Sequence, residues 1–121
     1  MKRDWDLIRQ VLIEIEQLDP AKHEQIQYGP ASYSTEPIKV SQAVLLWEAG
    51  FVKGVDAGSS DGDAVIAQDL TWSGHELLDS MRSKAVWERI KTIAQAKGLE
   101  LTFDTVKALG KLAVNWVIDQ Q

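Results

Sequence analysis

The sequence contains no cysteine, three prolines and only two histidines among its 121 residues. Without cysteine the chain has no disulfide framework, no thiolate nucleophile and no cysteine-based zinc site. Its opening residues, Met1-Lys2-Arg3, lead into an amphipathic segment and not into an apolar signal region. No run of about 18 apolar residues occurs, so we expect no membrane span and a cytoplasmic location.

Positive charge is also scarce, because 13 lysines and arginines stand against 18 aspartates and glutamates, which gives a net charge of −5. A dedicated nucleic-acid-binding domain usually carries a basic surface. The charge balance therefore disfavours that role, although a local basic patch is still compatible with it. The length and the apolar content of 45% are typical of one globular core. We predict a single domain over residues 1–121.

Apolar spacing and turn signals divide the chain into helices and strands. Asp4 suits the N-cap of the first helix, Gly50 suits the left-handed residue that closes the second, and Asp61-Gly62 is a hairpin turn signal. The predicted elements, in chain order, are helix 4–17, strand 25–28, helix 36–49, strands 51–57 and 64–70, and helices 71–81, 84–96 and 102–119.

Two of the helix starts depend on hydroxyl groups that can accept hydrogen bonds from free backbone N–H groups. Ser34 or Thr35 is predicted to cap the second helix. Thr71 or Ser73 is predicted to cap the helix after the hairpin, and Ser73 with Glu76 has the spacing of a capping box. Since no proline or glycine separates that helix from the next, one long or kinked helix is an alternative.

The order helix, hairpin, helix is typical of a winged-helix core. The predicted fold class is therefore α+β: a winged-helix-like domain, with helices and a two- or three-stranded antiparallel wing, extended by two additional C-terminal helices over about 84–119.

Several segments also resemble a family of small uncharacterised proteins of bacteria and their phages. They are residues 1–9, 46–52 and 70–79, with Trp87 following at the expected distance. The resemblance implies a winged-helix-like fold and no assigned activity. It also implies a histidine at position 42 in many members, where this chain has Gln42.

Catalysis has little support in the residue types. His23 and His75 fall in different predicted elements, and a general base needs a partner within reach. The hairpin aspartates, Asp56, Asp61 and Asp63, lack the spacing of a calcium loop. We therefore expect no catalytic, cofactor or metal site, and a non-enzymatic protein.

DNA binding is the alternative that the fold suggests, since a winged helix places one helix in the major groove and its wing near the backbone. The candidate contacts are Lys39, Ser41, Gln42 and Lys53. However, residues 36–49 hold one lysine against two glutamates, and residues 51–71 hold one lysine against four aspartates. Acidic groups there repel phosphates. DNA as a partner is possible but disfavoured.

The second helix is apolar almost all round, so its register decides what it presents. If Ala43, Leu46 and Phe51 point inward, an apolar and acidic face points outward. It consists of Val40, Ser41, Val44, Leu45 and Glu48. A register shifted by one residue turns Lys39 and Gln42 outward instead and improves the case for DNA.

Apolar helix faces favour docking to protein, because uncovered apolar patches mark interaction surfaces. The candidate residues are Val44, Leu45, Trp116 and Val117. We predict a non-enzymatic interaction or accessory protein, which the resemblance places in bacteria or phages, with a homodimer or another protein as partner. The alternative function is a winged-helix DNA-binding transcriptional regulator. An intramolecular alternative has the last helix folding back over Val44 and Leu45.

Overall fold

The computed structural model describes residues 2–119 and groups the chain into two compact units, Met1–His75 and Glu76–Gln121. The helices and strands are α1 Trp5–Glu16, β1 Ile26–Tyr28, α2 Pro37–Glu48, β2 Val52–Asp56, β3 Val65–Leu70, α3 Trp72–Met81, α4 Lys84–Lys97 and α5 Phe103–Asp119. Five helices and one antiparallel sheet over these residues confirm the predicted α+β class and are consistent with a winged-helix-like domain with C-terminal helices. The single-domain organisation stays a prediction. No helix in the described range is long and apolar enough to cross a bilayer.

The first unit has its core between α1, α2 and the sheet. Asp4 caps α1 as predicted, since its carboxylate accepts a hydrogen bond from the Leu7 backbone N–H at 3.1 Å. The helix then buries one apolar face against α2 and β3. This face consists of Ile8, Val11, Leu12 and Ile15. Each aliphatic side chain buried in this way contributes about 1.5–3 kcal/mol.

The sheet has the order β1-β3-β2, and both pairings are antiparallel. The strands β2 and β3 form the predicted hairpin, and Gly50, with a φ of 86°, closes the helix before it as predicted. The short strand predicted near residues 25–28 is present as β1, where Ile26 lies opposite Ala67 and Tyr28 opposite Val65. The wing therefore has three strands.

The N-terminus of α2 differs from the prediction. The helix begins at Pro37, and Glu36 occupies the N-cap position without a side-chain cap. The Ser34 hydroxyl instead accepts a hydrogen bond from the Glu36 backbone N–H at 3.0 Å. Neither Ser34 nor Thr35 is therefore the N-cap, because the chain stays extended through Ser34 and turns into the helix only at Pro37.

The start of α3 confirms one of the two predicted caps and corrects the predicted capping box. The Thr71 hydroxyl accepts a hydrogen bond from the Gly74 backbone N–H at 3.1 Å, so Thr71, and not Ser73, takes the capping role. Ser73 then lies inside the helix, and a capping box with Glu76 is out of register. The Glu76 carboxylate pairs instead with the Lys107 ammonium at 3.0 Å.

The second unit holds separate helices and not one long helix. The Ser83 hydroxyl caps α4 by accepting from the Val86 backbone N–H at 3.4 Å. Gly98, with a φ of 65°, closes α4. Thr102 caps α5, since its hydroxyl accepts from the Thr105 backbone N–H at 3.1 Å. Helices α4 and α5 pack against each other. Their buried residues are Val86, Trp87, Ile90, Ala94, Val106, Leu109, Gly110 and Ala113.

Candidate docking site on helix α2

Helix α2 is covered on several sides, because α1, the sheet and the 3₁₀ turn at Ala31–Tyr33 all pack against it. Ala43 and Leu46 are buried as predicted. Val40 and Val44 are buried as well, at 5% and 7% exposure, so the prediction that they point outward is wrong. The predicted strand β1 and the 3₁₀ turn, which was not predicted, both pack against α2 and add to its coverage.

One stripe of α2 stays accessible, and its members follow each other at spacings of three and four residues, which places them on one side of a helix. Ile38 is 62% exposed, Ser41 and Leu45 are half-buried, and Glu48 is exposed. We call these four residues the α2 face. Ser41, Leu45 and Glu48 match the predicted outward register. Ile38 was not among the predicted docking residues.

Lys39, a nucleic-acid candidate, is directed into the molecule. The residue is 9% exposed, its ammonium pairs with the Glu14 carboxylate, and the Glu36 carboxylate lies 3.6 Å away. It is the only basic residue of α2. The helix that a winged-helix protein uses to read DNA therefore presents no cation of its own.

Gln42, the second candidate, has a structural environment. Its side chain is fully buried, its amide oxygen accepts from the Asp4 backbone N–H at 2.9 Å, and its amide nitrogen donates to the Lys2 carbonyl at 3.2 Å. These bonds hold the N-terminal segment on α2. A buried side chain that satisfies two backbone groups is costly to withdraw.

The other two nucleic-acid candidates line different cavities. The Ser41 hydroxyl donates to the Pro37 carbonyl of its own helix at 3.1 Å, and Ser41 lines both cavities beside the α2 face. Lys53 is exposed on β2 opposite Asp69, and both line a cavity that also includes His23. The structure thus leaves Lys53 available to solvent but beside an acid.

Glu14 also binds a tyrosine. The Tyr28 hydroxyl donates to the Glu14 carboxylate at 2.8 Å, on the opposite oxygen from Lys39. Burial of the ring and this hydrogen bond raise the pKa of Tyr28 above its ordinary range. The cluster of three side chains joins α1, β1 and α2 within the first unit.

The raised pKa predicts a loss of stability in alkali. A tyrosine in the unfolded chain ionises at about pH 10, while the folded chain keeps the Tyr28 proton. The stability that protonated Tyr28 gives the folded state is therefore complete below that pH. Above it, the free energy of unfolding falls by about 1.4 kcal/mol per pH unit. Urea unfolding at pH 7 to 11 should show this decline, and Tyr28→Phe should make it shallower. Tyr33→Phe is the control, because Tyr33 is 75% exposed, and an unchanged slope in Tyr28→Phe would contradict the assignment.

Two cavities border the α2 face. One, of about 380 Å³, is lined by Ala31, Val40, Ser41, Val44, Leu45, Glu48 and Asp63, and we call it the α2 groove. The other, of about 510 Å³, is lined by Lys2, Arg3, Asp4, Trp5, Ile38, Ser41 and Gln42, and we call it the N-terminal groove. The predicted docking residues Val44 and Leu45 therefore form part of one concave surface, and Asp63 from the wing contributes a carboxylate that the sequence pattern did not place there.

The docking residues predicted on α5 belong to the second unit. Trp116 is 42% exposed, and the Arg89 guanidinium carbon lies 4.4 Å from the centroid of its ring. Val117 is half-buried. Leu112, four residues before Trp116 and 54% exposed, extends the same apolar flank. Docking through this flank stays a prediction.

Comparisons with known proteins agree with the sequence resemblance. A protein of Haemophilus influenzae (strain ATCC 51907 / DSM 11121 / KW20 / Rd), described as an uncharacterized protein, is 34% identical over 118 residues, which cover 98% of this chain and 99% of the relative. No solved structure matches. Residues 2–100 match the family described as "Hypothetical protein (DUF2513)", a range that includes the whole α2 face. The chain therefore belongs to the DUF2513 family.

Proposed function

We propose that this chain is a non-enzymatic interaction or accessory protein that docks a partner protein through the α2 face. One observation carries the proposal: the helix before the wing presents apolar and acidic groups, while its single lysine is paired with Glu14. A winged helix that reads DNA uses this helix for base contacts. Here Ile38, Leu45 and Glu48 suit the surface of another protein better than the phosphate-lined groove of DNA.

The chemistry of the α2 groove supports binding over catalysis. Its one hydroxyl, that of Ser41, donates to the Pro37 carbonyl. The remaining lining groups are aliphatic apart from the carboxylates of Glu48 and Asp63. Aliphatic floors with a polar rim are the ordinary anatomy of protein interfaces. Truncating a side chain at the centre of such an interface can cost about 2 kcal/mol or more of binding free energy.

The second candidate function is that of a DNA-binding regulator, and one observation favours it. Lys2 and Arg3 line the N-terminal groove beside Ile38. Basic terminal segments next to a recognition helix can contact the DNA backbone or the minor groove. It ranks second because Glu48 and Asp63 line the α2 groove on the same side of α2 and would repel phosphates.

Site-specific photo-cross-linking tests the two functions together. A photoreactive amino acid replaces Leu45 in the full chain, which is then irradiated in cells that naturally produce it. We expect discrete protein adducts that disappear when Ile38→Glu is added, because a buried charge on the same face prevents docking. Val55, 51% exposed on β2, is the control position and should not give those adducts.

Two results would go against the proposal. Adducts at position 45 that are sensitive to nuclease would replace it with the DNA-binding function. If positions 45 and 55 gave the same protein adducts, the cross-links would come from random encounters and not from docking at the α2 face.

A further inference from the structure

We infer that the α2 groove takes a lysine or arginine side chain of the partner protein, so that the docking segment of the partner is basic. The inference rests on the proposed function, because it names the chemistry recognised at the same docking site. Three observations carry it: the apolar floor of the groove, its two unpaired carboxylates, and the uncompensated C-terminus of α2.

The floor of the groove suits an aliphatic stem. Val44 and Leu45 from α2 face Ala31 from the 3₁₀ turn across a cavity of about 380 Å³. Lysine and arginine carry three or four methylene groups that pack on apolar surface while the charged head stays at the rim. Such a side chain would cover the half-buried Leu45 without burying its own charge.

The rim of the groove supplies the opposite charge. Glu48 and Asp63 line it, and neither carboxylate has a hydrogen bond or an ion pair with any residue between positions 2 and 119. Some carboxylates elsewhere in the chain are paired, as Glu14 is with Lys39 and Asp79 with Arg82. No lysine or arginine lines the groove. Two free carboxylates beside an apolar floor are complementary to a cation on an aliphatic chain.

The C-terminus of α2 adds to the negative electrostatic potential at the groove. Glu48 is the last residue of α2, and the last turn of the helix contains no basic residue. The C-terminus of a helix carries a partial negative charge, and a cation placed there is stabilising. A partner cation at the α2 groove would therefore interact with the helix end as well as with the side chain.

The charge of the first unit disfavours other occupants. Residues 1–75 contain twelve acids and six bases, so a basic segment is attracted from a distance while a nucleic acid is repelled. A second copy docked symmetrically would bring Glu48 and Asp63 of both chains to one contact, because a two-fold interface uses the same patch twice. The occupant assigned here is accordingly a different protein.

Peptide selection with the full chain tests the inference. A displayed library of random 12-residue peptides is selected on the parental chain and, in parallel, on the Glu48→Gln/Asp63→Asn double variant. We expect lysine or arginine to be enriched at one peptide position on the parental chain only. A selected peptide should bind the double variant on the order of tenfold more weakly, as for loss of a charge-assisted contact. It should also lose binding to Leu45→Glu.

A matched control separates local from general charge effects. Glu100→Gln/Asp104→Asn makes the same change in net charge at exposed carboxylates of the second unit. It should bind the selected peptide like the parental chain. Equal weakening in both double variants would attribute the effect to net charge and overturn the inference.

The remaining outcomes distinguish this inference from the proposed function. If the selected peptides depend on Leu45 but are not enriched in lysine or arginine, the inference of a basic side chain is wrong. The proposed docking through the α2 face would then still stand. A library without any Leu45-dependent peptide would count against the docking site itself. A parental dimer in sedimentation that Glu48→Gln/Asp63→Asn dissociates would identify a second copy as the occupant and overturn the assignment to a different protein.

Discussion

Gly74→Ala is expected to destabilise the chain by about 3 kcal/mol or more, because the added methyl group has no space. A Cβ atom at position 74 would overlap the Phe51 backbone carbonyl oxygen, well inside contact distance. That oxygen already accepts a hydrogen bond from the Thr71 backbone N–H at 3.1 Å. Both groups belong to the backbone, so relief requires α3 to move away from the start of β2.

Urea unfolding followed by circular dichroism measures this effect, and the chain offers a matched control. A Cβ atom at Gly110 would lie 3.5 Å from its nearest neighbours in Ser80, which is an ordinary contact distance. Gly110→Ala should therefore be neutral or stabilise by up to about 1 kcal/mol through helix propensity. If Gly74→Ala unfolds at the same urea concentration as the parental chain, the close approach of α3 to Phe51 is wrong.

The Gly74 contact illustrates what the sequence can predict and what it cannot. The segment 70–79 indicates the start of a helix after the hairpin, and the structure confirms it with α3. A glycine within a helical pattern signals some packing constraint but not its source. The constraint comes from Phe51, more than twenty positions away in the sequence, whose carbonyl contacts the helix backbone.

The register of α2 shows a second limit. Its nearly continuous apolar sequence correctly predicts coverage on more than one side. Which stripe stays accessible depends on short elements, β1 and the 3₁₀ turn at Ala31–Tyr33, that have too few residues for a periodic signal. The outward positions Leu45 and Glu48 were predictable from a spacing of three, whereas the burial of Val40 and Val44 was not.

The third limit of sequence-based prediction concerns buried polar side chains, and it affects the candidate site most. Lys39 and Gln42 have residue types that suit DNA contacts, and only their distant partners reveal another role. Glu14 lies on α1, and the backbone of Lys2 and Asp4 lies at the N-terminus. The resemblance implies a histidine at position 42 in many relatives. An imidazole, like the Gln42 amide, has one group that donates and one that accepts, so it can serve the same two backbone partners.

Trp87→Ala is expected to have the other large effect, a loss of about 3–5 kcal/mol of stability. Trp87 is 1% exposed within the second unit, and it is the largest of the fully buried side chains. Its removal leaves a cavity that helices α4 and α5 can fill only by shifting, and it removes a ring over which the Lys91 ammonium lies at 5.5 Å from the centroid. Trp87→Phe should lose less, because it keeps part of the apolar volume.

Thermal and urea unfolding of Trp87→Ala beside Trp72→Ala checks this expectation. Trp72 is 82% exposed at the start of α3, so its truncation should change stability by no more than about 0.5 kcal/mol. Truncation of tryptophan to alanine should therefore be nearly neutral at the exposed position and strongly destabilising at the buried one. Equal effects of the two substitutions, or a Trp87→Ala chain that melts like the parental one, would contradict the burial of that ring. A large loss for Trp87 alone would also explain its place in the family resemblance by packing, since the ring is buried within the protein.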